Sequence, residues 1–157
     1  RAPLADTERL ALYAAVAPLV DALDVELASP IRDRVLALAR THACTGIASS
    51  HSFERMPAFD ELEYLVDQAD GCHAPILKVA AAAANVAEVR RLLEFTLRHR
   101  DRGLVTIALG EVGALSRVFF PLAGSLFTFA HHRAASGPGQ LPLAEMHAAL
   151  RRYFPRP

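Results

Sequence analysis

The sequence predicts an α/β fold of the (β/α)8 barrel (TIM-barrel) type, with about five of the eight parallel strands of such a barrel present. Three observations carry this expectation. Short apolar segments alternate with amphipathic segments of helical period along the chain, which is the pattern of β/α units around a parallel sheet. No glycine-rich phosphate loop follows any strand segment, which argues against the nucleotide-binding α/β folds. Polar residues collect where strand segments end, and barrel sites are built at those ends.

The elements follow in order. Asp6 to Leu23 has helical spacing in Leu10, Tyr13, Ala14, Ala17 and Val20, with Asp6 or Thr7 as N-cap. Asp24 to Leu27 is a short strand. Ser29-Pro30 supplies a cap and a first-turn proline for a helix that runs to about Thr41. Cys44 to Ser50 is a strand ending in the polar cluster Ser49-Ser50-His51-Ser52. Pro57 to Gln68 is a helix, and Ala74 to Ala80 is an apolar strand interrupted only by Lys78. Asn85 and Glu88 form a capping-box pattern ahead of Val89, Leu92, Leu93 and Leu97. Leu104 to Leu109 is the next strand, and Gly110 to Gly124 holds a loop and a short helix. Ser125 to Ala130 is a fifth strand, Ser136 to Gln140 a loop, and Leu143 to Tyr153 a closing helix.

Composition narrows the function classes. The 157 residues suit a single domain spanning 1–157, and at 52% hydrophobic they are enough to bury a core. Lys+Arg and Asp+Glu both number 17, so no global field draws nucleic acid or an anionic membrane surface. The two cysteines, Cys44 and Cys72, form neither a metal spacing nor a disulfide framework, which points to the cytoplasm. No apolar run is long enough to span a bilayer, and no signal peptide is visible. The first residue is Arg1 and not methionine, which hints at a segment upstream.

Lys78 is the sharpest signal for chemistry. It lies within Pro75-Ile76-Leu77-Lys78-Val79-Ala80, and lysine is almost never buried without a reason. Burial and nearby cations favour the free amine, a nucleophile towards ketones; the plainer alternative is a lysine snorkelling at a strand edge. His51 follows a strand and carries a group suited to proton transfer near neutrality, or is simply a structural hydrogen-bond partner. Arg117, next to Ser116, can clamp a carboxylate with two parallel hydrogen bonds, or is a surface arginine on a short helix. Ser136 and Gln140 can recognise hydroxyls, or serve turn chemistry alone. Of Asp24 and Glu26, one is expected to point inward and the other outward. His42, His99 and His147 fall on helices or their ends, and His73 precedes a strand. His131-His132 lacks the further ligands a metal site needs, so no metal is expected.

Six motifs stand in order at strand ends: Asp24-Val25-Glu26-Leu27; Ser50-His51-Ser52-Phe53-Glu54 with Pro57; Ile76-Leu77-Lys78-Val79-Ala80; Leu109-Gly110 through Ser116-Arg117; Gly124-Ser125 through Thr128-Phe129; and Ser136-Gly137-Pro138-Gly139-Gln140. Together, over essentially the whole chain, they resemble the type I 3-dehydroquinate dehydratases, the Schiff-base dehydroquinases of the shikimate pathway. The chain looks like the C-terminal portion of such a barrel. The resemblance implies a cofactor-free lyase that converts 3-dehydroquinate to 3-dehydroshikimate and water. It implies that Lys78 forms an imine with the C3 ketone, and that His51 removes the C2 proton and helps the C1 hydroxyl leave. By the same resemblance Arg117 binds the substrate carboxylate, Ser136 and Gln140 close over the substrate hydroxyls, and Arg1 is a further substrate contact. It implies a small-molecule substrate, no nucleic-acid or membrane partner, and a homodimer.

Two departures from the family pattern stand out. The first two strands and nearly all of the third are absent, and with them a Glu-x-Arg motif. The glutamate that the family places shortly after the position of Arg1, as partner of the catalytic histidine, is replaced by Ala2-Pro3-Leu4-Ala5-Asp6. The expectation is that His51 lacks the family's orienting carboxylate; Asp6 is a shifted candidate for that place and is not relied on. A non-catalytic dehydroquinase-like domain that binds the metabolite is the alternative function. Retention of both Lys78 and His51 argues against it, since binding needs neither. An imine-forming aldolase is a third, disfavoured by Ser116-Arg117 and by the Ser136–Gln140 loop.

Overall fold

The computed structural model describes residues 4–154. The helices are α1 (Asp6–Val16), α2 (Arg32–Thr41), α3 (Phe59–Gly71), α4 (Val86–Arg98), α5 (Ser116–Ala123) and α6 (Leu143–Tyr153); the strands are β1 (Ala22–Glu26), β2 (Thr45–Ser52), β3 (Ile76–Ala82) and β4 (Leu104–Leu109). The strands form one sheet in the order β1-β2-β3-β4. A helix separates each consecutive pair, as parallel crossovers require. Chain contacts group into two compact units, Arg1–His51 with Asp60–Lys78, and Ser52–Phe59 with Val79–Pro157.

In the first unit β1 pairs with β2 in parallel, with Asp24 opposite Ile47 and Glu26 opposite Ser49. Leu23 and Val25 turn to the buried face of β1, and α2 packs on that strand with Val35, Leu36 and Ala39 buried. The expected helix from Asp6 to Leu23 stops at Val16, continues as one short 3-10 turn over Ala17–Leu19, and yields to a strand that starts two residues earlier than expected. Pro18 explains the break, since its ring excludes the α-helical hydrogen bond. The first turn of α1 is capped from inside: the Glu8 carboxylate accepts from the Ala5 amide at 2.9 Å, so neither Asp6 nor Thr7 is the cap. Ser29-Pro30 forms the turn ahead of α2, with Arg32 N donating to Ser29 O at 3.0 Å, and Ile31 takes the cap position.

In the second unit α4 begins as its sequence predicts. Asn85 Oδ1 accepts from Glu88 N at 3.1 Å, while the Glu88 carboxylate reaches back to Ala84 N at 2.7 Å, one residue beyond the usual box. Leu92 and Phe95 bury the inner stripe of α4, and Phe59 meets Phe95 edge-on at 6.4 Å between ring centres. Below them Thr96 and Thr106 share a buried hydroxyl–hydroxyl bond of 2.6 Å, and Thr96 Oγ1 also donates to Leu92 O.

The fifth expected strand, Ser125 to Ala130, is not a strand. The outer margin of β4 shows why. Its Leu104 carbonyl accepts from Leu126 N at 2.8 Å, but the next amide, Thr106 N, donates to the Ser125 hydroxyl at 3.1 Å. One step further, Ala108 N donates to the Ser116 hydroxyl at 3.0 Å, and that hydroxyl donates back to Ala108 O at 3.3 Å. Two serine side chains occupy the positions that a neighbouring backbone would use, so a ladder never develops there.

Candidate active site

Alternation along the strands decides which side chains share a face. Residues two apart on a strand point the same way, and partners across a parallel pair lie on the same side. Asp24 and Glu26 therefore share a face with Ile47, Ser49 and His51 of β2, which corrects the expectation that Asp24 and Glu26 point in opposite directions. On β3 the buried run alternates in the same manner, with Leu77 and Val79 on one side and Lys78 on the other. Glu26 ends β1 and His51 lies one residue from the end of β2, at the strand ends where the β/α architecture leaves room for chemistry, while Asp24 and Lys78 lie further back, within β1 and β3.

Each of the two expected catalytic groups carries a carboxylate. Lys78 is buried, with only 8% of its surface exposed, and its Nζ pairs with Asp24 Oδ2. The snorkelling alternative fails on that burial. His51 Nδ1 pairs with Glu26 Oε1, and the Ser49 hydroxyl donates to the same oxygen at 3.3 Å. The expectation that His51 lacks an orienting carboxylate is therefore corrected. Asp6, the shifted candidate, is engaged with Arg9 at 2.9 Å.

The second unit holds Arg117 and the loop of Ser136 and Gln140. Arg117 lies in the first turn of α5 and is 3% exposed, which excludes the surface alternative. Its Nη2 donates to Pro138 O at 3.0 Å. Its Nε is buried, and among the described residues it meets no hydrogen-bond partner; nor does any carboxylate pair with the guanidinium. Burial pushes the Arg117 pKa down from its ordinary value, yet a guanidinium remains charged at neutral pH. The loop is held from within: Gln140 Oε1 accepts from both the amide and the hydroxyl of Ser136, at 2.8 and 3.0 Å. Gly139 has φ of +72°, and a side chain there would overlap the carbonyl oxygen of Gly110, so glycine is required at the turn. Arg1 lies outside the described residues.

Sequence reasoning missed the burial of Arg117 and the assignment of Glu26 to His51. The first had a signal, since α5 is otherwise apolar from Val118 to Ala123. The second depends on register between two strands, which no local pattern encodes.

A parallel β/α scaffold of the barrel type, with a buried lysine and a carboxylate-bound histidine on adjacent strands, is the class that fold and site define. The chain belongs to the type I 3-dehydroquinase family, whose model matches residues 1–155. It is 36% identical over 147 residues to the 3-dehydroquinate dehydratase of Methanococcoides burtonii, covering 92% of this chain and 62% of that protein. It is 36% identical over 136 residues to the one from Methanosarcina barkeri, covering 83% of this chain and 56% of that protein. The crystal structure of 3-dehydroquinate dehydratase from Geobacillus kaustophilus superposes with a TM-score of 0.88 at 30% identity, over 98% of this chain and 63% of that one. A type I enzyme from Clostridium difficile, solved with covalently modified comenic acid, gives 0.88 at 26% identity, with the same two coverages of 98% and 63%. The chain spans about three fifths of the length of these relatives.

Proposed function

We propose that this chain carries the imine-forming half of a 3-dehydroquinate dehydratase, a hydro-lyase that converts 3-dehydroquinate to 3-dehydroshikimate and water. The observation that carries the reading is a buried lysine, held by a carboxylate, on the same sheet as a histidine held by a second carboxylate. The Lys78 ammonium first gives up a proton, and Asp24 is the base in contact with it. The free amine adds to the C3 ketone, and loss of water leaves an iminium on Nζ. That iminium is an electron sink, so the adjacent C2 proton becomes acidic. His51 takes this proton and returns it to the C1 hydroxyl as that group leaves as water. A second water hydrolyses the conjugated imine, releasing product and restoring Lys78. The amine and water cycle closes with the net loss of one water.

Arg117 is assigned the substrate carboxylate. A buried guanidinium with an unpartnered Nε supports this, because a carboxylate supplies the missing acceptor. Ser136 and Gln140 are assigned the substrate hydroxyls, and the closed Ser136–Gln140 hydrogen bonds give that loop a defined shape to present. Arg1 is assigned a further substrate contact on the family resemblance alone. The accompanying proposals are a cytoplasmic location, which free Cys44 and Cys72 support, and a homodimer, to be read by light scattering. Among the described residues no helix is long and apolar enough to cross a membrane.

Borohydride reduction of the intact protein in the presence of 3-dehydroquinate tests the reading. A stable mass adduct on the peptide containing Lys78 is expected. A folded protein that turns substrate over without such an adduct overturns the imine route.

A further inference from the structure

We propose that Glu26 is the positioning residue of His51, fixing the ring so that Nδ1 carries the hydrogen and Nε2 faces the substrate as the working base. The inference rests on the reading of His51 as the proton carrier. It is carried by four observations. Glu26 Oε1 contacts Nδ1 and not Nε2. The Ser49 hydroxyl, two residues before His51 on β2, donates to the same Oε1 and so holds the carboxylate in place. The segment after Arg1 contains Asp6 as its carboxylate, and Asp6 is committed to Arg9. The other carboxylate on this face of β1, Asp24, is committed to Lys78.

The register explains why a glutamate is needed. Glu26 stands opposite Ser49, two residues short of His51 along β2. A carboxylate must lean forward along the strand direction to meet the imidazole. The two methylenes of glutamate allow that reach, while aspartate at the same position falls short by one. An ionised carboxylate accepts only, so the nitrogen it contacts must be the protonated one. The remaining nitrogen, Nε2, then keeps its lone pair and can remove a proton, and the carboxylate stabilises the imidazolium that results.

Three variants of the intact protein separate position from charge. The Glu26 side chain is 48% exposed, so replacing it leaves the core untouched. Glu26→Ala should lower kcat about 10- to 100-fold with KM little changed, as for loss of a group that orients a working histidine. Glu26→Gln keeps an acceptor of the same reach and should recover most of that loss. Glu26→Asp keeps the charge but not the reach and should behave like Glu26→Ala. In a His51→Ala background, Glu26→Ala should add nothing. The independent readout is the His51 tautomer, from long-range nitrogen–proton NMR correlations: Nδ1–H in the unmodified protein and in Glu26→Gln, shifted towards Nε2–H in Glu26→Ala. An Nε2–H tautomer in the unmodified protein, or Glu26→Asp outperforming Glu26→Gln, overturns the inference. Unimpaired turnover in His51→Ala would instead remove the underlying reading of His51, and the tautomer measurement would still decide the role of Glu26.

Discussion

Lys78 and Arg117 are both cations that the fold takes out of water, yet they are treated in opposite ways. Lys78 is met by the carboxylate of Asp24. Arg117 is met by one backbone carbonyl, and its Nε is left without a partner. Burying a charge is costly unless it is paired, and the roles proposed for the two residues give that difference a purpose. A paired lysine is held in one place and has a base at hand for its proton. An unpaired arginine keeps its desolvation cost until an anion arrives, and then recovers it as binding energy. On the proposed assignment, the groups that would perform chemistry are neutralised in advance, and the group that would bind is not.

The largest effect expected from breaking this contrast is at Lys78. Lys78→Arg in the intact protein keeps a cation beside Asp24 but forms no imine, so kcat should fall about 10⁴-fold or more while the protein stays folded. Stopped assays combined with circular dichroism check both halves. Next, His51→Ala should lower kcat about 10²- to 10⁴-fold, the range for loss of a general acid–base. Borohydride trapping on Lys78 should persist at a slower rate, as read by mass spectrometry.

Binding comes third. Arg117→Lys should raise KM about 10- to 100-fold, since one bidentate charged contact is replaced by a point charge. A loss in kcat with KM unchanged would erase the distinction between a chemical Lys78 and a binding Arg117. Stability sharpens the same contrast. Lys78→Met leaves Asp24 without its partner and should cost about 1–3 kcal/mol, below the fully buried case because Asp24 is partly exposed. Arg117→Met removes a buried charge that has no counter-ion and should cost less than about 1 kcal/mol. Denaturant titrations of the two variants decide the comparison by their order. The smallest effect is Ser136→Ala, which deletes one of the two hydrogen bonds to Gln140 Oε1 and should raise KM only about 2- to 10-fold.

The legible parts of this molecule were those whose physics is local. Lys78 announced itself because one charge interrupts an apolar strand, and that residue is indeed buried on β3. The β/α alternation was equally plain, and the strands over Leu104–Leu109 and the cap at Asn85 fall where the pattern puts them. What was not legible depends on pairing. The contact between Glu26 and His51 exists because β1 and β2 meet in one register and not another. Ser125 to Ala130 has the apolar content of a strand, with Leu126, Phe127 and Phe129. A strand also needs a neighbour whose amides are free, and here hydroxyl groups already hold them. Arginine as a residue type is usually outside, so the two readings of Arg117 stay level in the sequence; its burial follows from the apolar helix that carries it.

The serine-lined margin of β4 has a consequence for how this protein behaves among other proteins. A bare sheet edge is a template on which any extended peptide can grow. Along β4 the groups of Leu104, Thr106 and Ala108 that would recruit such a peptide are spoken for by Leu126 N and the hydroxyls of Ser125 and Ser116. Both serines are nearly inaccessible, at 3% and 1% exposure, so water cannot readily displace them. The margin is finished like a hem: it is closed without a further strand, and a foreign strand finds nothing to stitch to. Replacing either serine by alanine would leave a buried amide of β4 without its acceptor.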